Sequence, residues 1–432
     1  MTEESLLIKG IRTVTQNQYR QIIDADIYIE GERILSVEKN INWAADIVID
    51  GKNLIAIPGL INTHTHAPMS VLRGYADDMY LQDWLNKKIW PAESKITPDI
   101  VKTGTELSVI EMLKTGTTLY HDMYFFSQES IDICDRIGIS AILGGIFIDF
   151  ATNQSKNLTE YKNYTEELIK KTESSPYVKA NIAPHAPYTC SEETLSVAVE
   201  LAEKYKTSIQ IHVAETEKEV RDFLREKKIT PYQYLEQAGI VNYPTIAIHS
   251  VWAKKSDIAL MKTYNISVSH NPVSNMKLSV GKAAPVKLFF ESQIAVGLGT
   301  DSAVSNNNLD MFETMKIAAL LHKFSTKNPT ICPAQKIFDM ATIEGARALG
   351  LMEERGSIEA GKIADIVLLN RENIRLLPDY NLISNIVYAI PSSAIDTVIT
   401  RGKIVVKNGN VINADIDSVR KGIESAMEIL TG

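Results

Sequence analysis

Pro58-Gly59-Leu60-Ile61-Asn62-Thr63-His64-Thr65-His66 begins as an apolar run and ends in two imidazoles one residue apart. On an extended strand, residues i and i+2 share a face, so His64 and His66 point at one spot. Two neutral imidazoles a few ångströms apart suit a borderline-soft divalent cation such as zinc. A pair of histidines packed at a strand end satisfies the same stretch. The two readings separate on whether other apolar runs end in the same way.

They do. From about 57 to 350, apolar strands are expected at Ile55–Asn62, Thr117–Asp122, Ala141–Asp149, Val178–Pro184, Ser208–Ala214, Thr245–Val251, Ile266–His270 and Ile294–Gly299. Amphipathic helical stretches such as Pro98–Lys114, Glu192–Tyr205, Thr216–Lys227 and Ser256–Tyr264 lie between them. Eight buried strands separated by helices describe an α/β fold, a (β/α)8 TIM-like barrel, whose chemistry sits at the C-terminal strand ends. Those ends carry His64, His66, His121, Asp122, His185, His212, Glu215, His249, His270 and Asp301; of the eight histidines only His322 lies elsewhere. This concentration points to one polar, metal-centred site in the barrel mouth.

The flanks have a different texture. Ser5–Val14, Asp26–Glu38 and Ala45–Ile49 are β-branched segments broken at Gly10, Gly31 and Gly51. Similar strands return at Ala364–Leu369, Asp396–Thr400 and Lys403–Lys407, the last followed by the hairpin signal Asn408-Gly409. The expected organisation is a small composite β-sandwich built from residues 1–56 and 354–432 around a barrel domain, 57–353.

Composition excludes several classes. A net charge of −8 offers no basic excess to displace the counterions of a nucleic acid. Three scattered cysteines, Cys134, Cys190 and Cys332, form neither a disulfide framework nor a thiolate metal site. No apolar run reaches the roughly 18 residues of a membrane span, and MTEESLLIKG lacks the regions of a signal peptide. A cytoplasmic protein is the expectation.

His64, His66, His212 and Asp301 can offer three nitrogens and one oxygen to a single cation, leaving a position for water. Such a cation lowers the pKa of the water towards neutrality. Asp301, in Gly299-Thr300-Asp301-Ser302, also suits an Asx-turn or a cap. Glu215, in His212-Val213-Ala214-Glu215, lies just past its strand, where a carboxyl can act as general acid and base towards a ring nitrogen and a departing amine. Helix-start stabilisation is its other reading, for which Glu217 and Glu219 are the better choices. His249 fits either a group that orients the attacking oxygen or a satisfied core histidine. A binuclear site bridged by a modified lysine needs a lysine where this chain has Ala183-Pro184-His185, and no PCxxC run exists for a Cys/His zinc deaminase.

PGLINTHTH, HVAET, His249, GLGTDSAVSNN, ATIEGARALGL and GSIEAGKIADIVLLN together resemble the amidohydrolase superfamily over essentially the whole chain. Within it the chain resembles the branch holding 5-methylthioadenosine/S-adenosylhomocysteine deaminase, guanine deaminase and the triazine chlorohydrolases. The resemblance implies hydrolytic deamination of an adenosine-type nucleoside (5-methylthioadenosine, S-adenosylhomocysteine, 5′-deoxyadenosine or adenosine) at one divalent metal, Zn2+ first, with Fe2+ or Mn2+ also compatible. By it, Asp301 takes a proton from the nucleophile, His249 orients the attacking oxygen, and Glu215 protonates the ring. Glu93 would accept from the ribose hydroxyls, Trp84 would line the thioether end, His185 would bond the purine, and Ser305 would sit near the base. Taken alone, Trp84 and Trp90 read first as helix packing, and Glu93 reads as a solvated helix-start acid. The alternative within the branch is a guanine, pterin or triazine substrate; a binding protein on the same scaffold would have lost ligands, and none is missing here. Relatives are often dimers or tetramers, and no stretch decides between a monomer and a homo-oligomer.

One departure concerns the substrate. Residues 144–157 hold no arginine, the bidentate partner expected for a homocysteine carboxylate; Lys156 is their only cation, and Phe147 or Phe150 would make the pocket more apolar. Small or neutral 5′-substituents are therefore expected. Asn271–Ala283 is the candidate covering loop.

Overall fold

The computed structural model describes residues 4–431. At its centre, eight parallel strands are each bonded to the next: Leu60–Thr65, Thr117–Tyr124, Ser140–Phe147, Val178–Pro184, Ile209–Val213, Thr245–His249, Ser267–His270 and Val296–Leu298. The first and last meet through a Thr65–Asp301 bridge, and Asn62 closes the seam. The Asn62 side chain donates to Thr300 Oγ1 (2.7 Å) and accepts from the Thr300 backbone N–H (3.1 Å). Helices Pro98–Lys114 and Glu192–Tyr205 start where Thr97 and Ser191 accept from the third backbone N–H beyond them. The expected barrel is present, nearly closed.

The first strand differs from expectation. The apolar run 55–62 is divided between two sheets. Leu54–Pro58 pairs antiparallel with Ile366–Asn370 in the outer sheet, and only from Leu60 does the chain enter the barrel. The expected boundary between 56 and 57 thus falls inside an outer strand. At the crossing, Gly59 donates to Asp365 O and Leu60 donates to Gly116 O. A Cβ on Gly59 would stand 2.1 Å from Thr118 Oγ1, so only glycine passes there. Hydropathy cannot register this break, because both halves are equally apolar.

The outer sheet joins both ends of the chain in one nine-stranded, mainly antiparallel array. Its N-terminal part is Ser5–Val14, Ile22–Glu30, Arg33–Glu38, Ile47–Asp50 and Leu54–Pro58; its C-terminal part is Ile366–Asn370, Ile395–Thr400, Lys403–Lys407 and Asn410–Val411. Period-two alternation divides its strands between two cores. Ala56, Ile366 and Leu368 pack with Ile8, Ile27 and Ile29 in the sheet's own core, whereas Ile55, Ile57, Val367 and Leu369 turn to the barrel core. No helix among the described residues is long and apolar enough to cross a membrane.

A buried ion pair lies at the seam. The Arg355 guanidinium pairs with Asp365 and donates to Ser140 Oγ (3.0 Å), and Asp365 also accepts from the Arg401 backbone (2.9 Å). Truncating one partner leaves the other charge buried and unpaired, at a cost of about 3–5 kcal/mol. Arg355→Ala is expected to lower unfolding stability by that order, read from the denaturation midpoint, whereas exposed Arg420→Ala should leave it unchanged.

Candidate active site

His64 ends the first barrel strand and His66 opens the turn that follows. Their Nε2 atoms stand 3.2 Å apart, and His212 Nε2, from the fifth strand, is also 3.2 Å from that of His64. Asp301 Oδ1 lies 3.2 Å from His66 Nε2 and 3.5 Å from His64 Nε2. Donors held about 2.0–2.1 Å from a tetrahedral centre stand roughly 3.3–3.4 Å from one another. These four separations lie close to that value, and all the donor atoms fall within 4.8 Å of one another.

Tautomers make the fit stronger. His66 donates Nδ1–H to Met123 O (2.5 Å), and His212 donates Nδ1–H to His185 O (2.8 Å). Both rings therefore present Nε2 lone pairs towards His64. Lone pairs facing one another repel, and a cation among them converts repulsion into ligation. Burial, above all, lowers His64 to about 3 and holds His212 well below the usual histidine range, which keeps both neutral. Together the four side chains form a metal-binding cluster.

The backbone at this rim is unusual. Ala214, His249, Ser250 and Asp301 all have positive φ, between 51° and 68°. Left-handed non-glycine residues cost on the order of 1 kcal/mol each, and such strain concentrates at functional sites. Here it turns the chain as three strands end. Gly299 serves the same rim: a Cβ there would lie 2.2 Å from Asn271 Oδ1 and 2.9 Å from His64 O.

Beside the cluster, Glu215 Oε1 lies 3.8 Å from His249 Nε2. Burial raises the Glu215 carboxyl, with the Asp301 charge adding to the effect against the opposing histidines. A larger share is then protonated near neutrality, as a proton donor requires. The Ala214 and Glu215 backbone N–H groups both donate to Glu219 (2.9 Å each), and Thr216 caps the helix Glu217–Glu226. The helix-start role thus belongs to Glu219, and the Glu215 carboxyl faces the cavity.

His249 donates Nδ1–H to Asn275 Oδ1 (2.8 Å). Asp301 Oδ2 accepts from Ser274 Oγ (2.5 Å) and Ser305 Oγ (3.1 Å). Ser274 and Asn275 were not singled out from the sequence. Their signal was position alone: they lie in the loop after the seventh strand, on the short helix Pro272–Lys277. This stretch of the candidate covering loop is stitched to the site and its rim, because Lys277 bonds Asp77, Asn307 and Val304 O.

His66, His212 and Asp301 of the cluster line the floor of an open cavity in the barrel mouth. Glu93, Trp84, His185 and Ser305 all line it. Trp84 is also an anchor, donating Nε1–H to Ala76 O (3.0 Å). His185 bonds Thr189 through Nδ1 (2.8 Å), and Ser305 is turned towards Asp301. Of the two phenylalanines, Phe150 lines the cavity, edge-on to Trp90 at 5.5 Å. Phe147 is fully buried against Tyr161 instead. Among the described residues neither lysine nor arginine lines this cavity; Lys156 lies in an adjoining pocket and donates to Thr152 O (2.6 Å).

Two strand-end histidines do not join the site. His121 is buried between Thr63 O (3.1 Å) and the Asn181 side chain (2.8 Å). His270 meets His322 at 2.9 Å, so the one histidine away from a strand end is the partner of another.

The chain matches the Amidohydrolase family over residues 55–405. It is 42% identical over 411 residues to a protein of Methanosphaera stadtmanae named 5′-deoxyadenosine deaminase, covering 94% of this chain and 95% of that one. It is 41% identical to 5-methylthioadenosine/S-adenosylhomocysteine deaminase 1 of Archaeoglobus fulgidus, covering 99% of each. A crystal structure of a Xanthomonas campestris adenosine deaminase with bound zinc superposes with a TM-score of 0.95 at 31% identity, covering 99% of this chain and 98% of that one.

Proposed function

Because the chain belongs to the amidohydrolase family, we propose that it hydrolyses the amine from the adenine ring of small adenosine-type nucleosides, releasing ammonia and the inosine product. The observation that carries this reading is the placement of Glu215 and His249 beside a three-histidine, one-aspartate cluster, on the floor of a cavity whose wall carries Glu93. His64, His66, His212 and Asp301 would hold a divalent cation, with zinc the proposed ion, which when bound would acidify a water towards neutrality. Asp301, held by Ser274 and Ser305, accepts a proton from that water. His249, fixed by Asn275, orients the oxygen that adds to C6. Glu215 gives its proton to the neighbouring ring nitrogen; Asp301 passes the proton it took from water to the amine, which leaves as ammonia, and the C6 hydroxyl returns a proton to Glu215 as the carbonyl forms.

We place the 5′ end of the substrate beside Trp84, Trp90 and Phe150, on a cavity wall to which the described residues contribute no lysine or arginine. An unpaired carboxylate there would lose its hydration without a partner. The proposed substrates are therefore 5′-deoxyadenosine, methylthioadenosine or adenosine, with S-adenosylhomocysteine disfavoured. Loss of adenine absorbance, followed with metal-replete enzyme over these four and guanine, tests both points. Activity on guanine alone would discard the nucleoside reading. A kcat/KM for S-adenosylhomocysteine equal to that for methylthioadenosine would discard the 5′-end argument.

Glu93 adds a pH test. Burial raises its carboxyl to about 7, against the opposing Tyr124 hydroxyl and His66. Its ionised form is the acceptor that sugar hydroxyls need, and that fraction grows as pH rises. KM is expected to fall by roughly tenfold from pH 6 to pH 8, the ratio of ionised fractions one unit either side of the pKa. In Glu93→Gln this dependence should vanish.

A further inference from the structure

Tyr124 ends the second barrel strand, is 2% exposed, and lines the cavity. Among the described residues its hydroxyl makes no hydrogen bond of normal geometry, although the Glu93 carboxyl stands close enough to interact with it. An unpaired buried hydroxyl destabilises a fold, and packing alone would be served by phenylalanine, the very next residue in the chain. The Glu93 carboxyl interacts with the Tyr124 hydroxyl from the segment after the first strand.

Donor and acceptor counting gives the pair a task. A carboxylate accepts only, so it can take up to two O–H groups from a vicinal diol. Each sugar oxygen then still carries lone pairs, inside a cavity whose wall nearby is Met123, Phe125 and Ile146. Those lone pairs need a donor. We propose that Tyr124 is a specificity-determining residue whose hydroxyl donates to a ribose hydroxyl oxygen, so that Glu93 and Tyr124 together read the 2′,3′-diol. This rests on the nucleoside reading above and on Glu93 as the ribose contact. Burial, with the Glu93 charge adding to it, keeps the phenol far above its ordinary pKa and hence a donor throughout the working range. A ligand without the diol would leave both groups unpaired, which makes the discrimination larger than one missing contact.

The test compares wild type and Tyr124→Phe, both metal-loaded, on adenosine, 2′-deoxyadenosine, 3′-deoxyadenosine and 2′,3′-dideoxyadenosine. Tyr124→Phe is expected to raise KM for adenosine about tenfold, the scale of one lost buried hydrogen bond, with kcat within about threefold. On the analogue lacking the hydroxyl that Tyr124 reads, the substitution should change KM less than about twofold. Equal loss on all four sugars, or no loss on adenosine, would overturn the proposal. Metal content should be unchanged and the melting temperature not lowered, since an unpaired group has been removed. A second variant leaves Tyr124 in place: Glu93→Gln should keep a residual preference for adenosine over the dideoxy sugar, and its complete loss would also count against Tyr124. If wild type deaminates no nucleoside at all, the underlying reading has failed; if it does and the sugar comparison is flat, only the role of Tyr124 has.

Discussion

Exhaustive chelation is expected to bring deamination to background, and readdition of one equivalent of zinc should restore it. His66 and His212 fix their Nδ1 protons on carbonyls, so three Nε2 atoms converge with Asp301 where one cation would satisfy all four. His64→Ala should show the same loss without rescue, and its metal content, measured by elemental analysis, should fall well below one ion per chain. The four donors meet only in the folded chain, so a bound metal would stabilise it. At a concentration a thousand times its dissociation constant it adds about 4 kcal/mol, so the chelated protein should melt earlier and recover on readdition. Comparing zinc, iron(II) and manganese in the readdition identifies the ion that supports turnover. Full activity in protein shown to be metal-free would remove the basis of the mechanism.

The second large effect is at Glu215. Glu215→Gln keeps the shape of the side chain and the backbone bonds to Glu219, but removes the group that moves protons on the ring side. A kcat lower by roughly 10²–10⁴-fold is expected, the usual contribution of a positioned acid or base. Bound metal should be unchanged, because Glu215 lies outside the ligand cluster. The pairing of those two readouts matters. A loss of both metal and activity would place Glu215 among the ligands or their supports, and a small change in kcat would move the proton transfer elsewhere. Glu219→Gln offers a graded comparison, since an amide oxygen can still accept from Ala214 or Glu215 N–H.

Much of this architecture was legible before any coordinates. The eight barrel strands announce themselves because strands buried on both faces are continuously apolar, and the barrel rule then nominates whatever polar residues end them. His64, His66, His185, His212, Glu215, His249 and Asp301 were all nominated in this way; the structure sets all but His64 on the wall of one cavity, with His64 beside His66, His212 and Asp301. The rule is blind to direction. His121 and His270 also end strands, yet the first is buried against Asn181 and the second against His322. Whether a strand-end side chain faces the mouth or the packed layers below depends on register and bulges, such as the shifts between the first two strands.

Other decisions belong to the tertiary structure alone. The break at Gly59 is set by the approach of Thr118, a residue far along the chain. The choice of Phe150 over Phe147 as cavity wall follows from where the third strand stops, a boundary that periodicity leaves loose. Ser274 and Asn275 hold Asp301 and His249 from a helix six residues long, with no local pattern to mark them. By itself, the sequence determined the barrel, the two-ended outer sheet and the chemical types gathered at the strand ends, because burial periodicity and donor chemistry are local properties of residues. Which donors meet, which carbonyl sets each imidazole tautomer, and which hydroxyl is left without a partner were decided by contacts between distant strands, and distance along a chain carries no information about those.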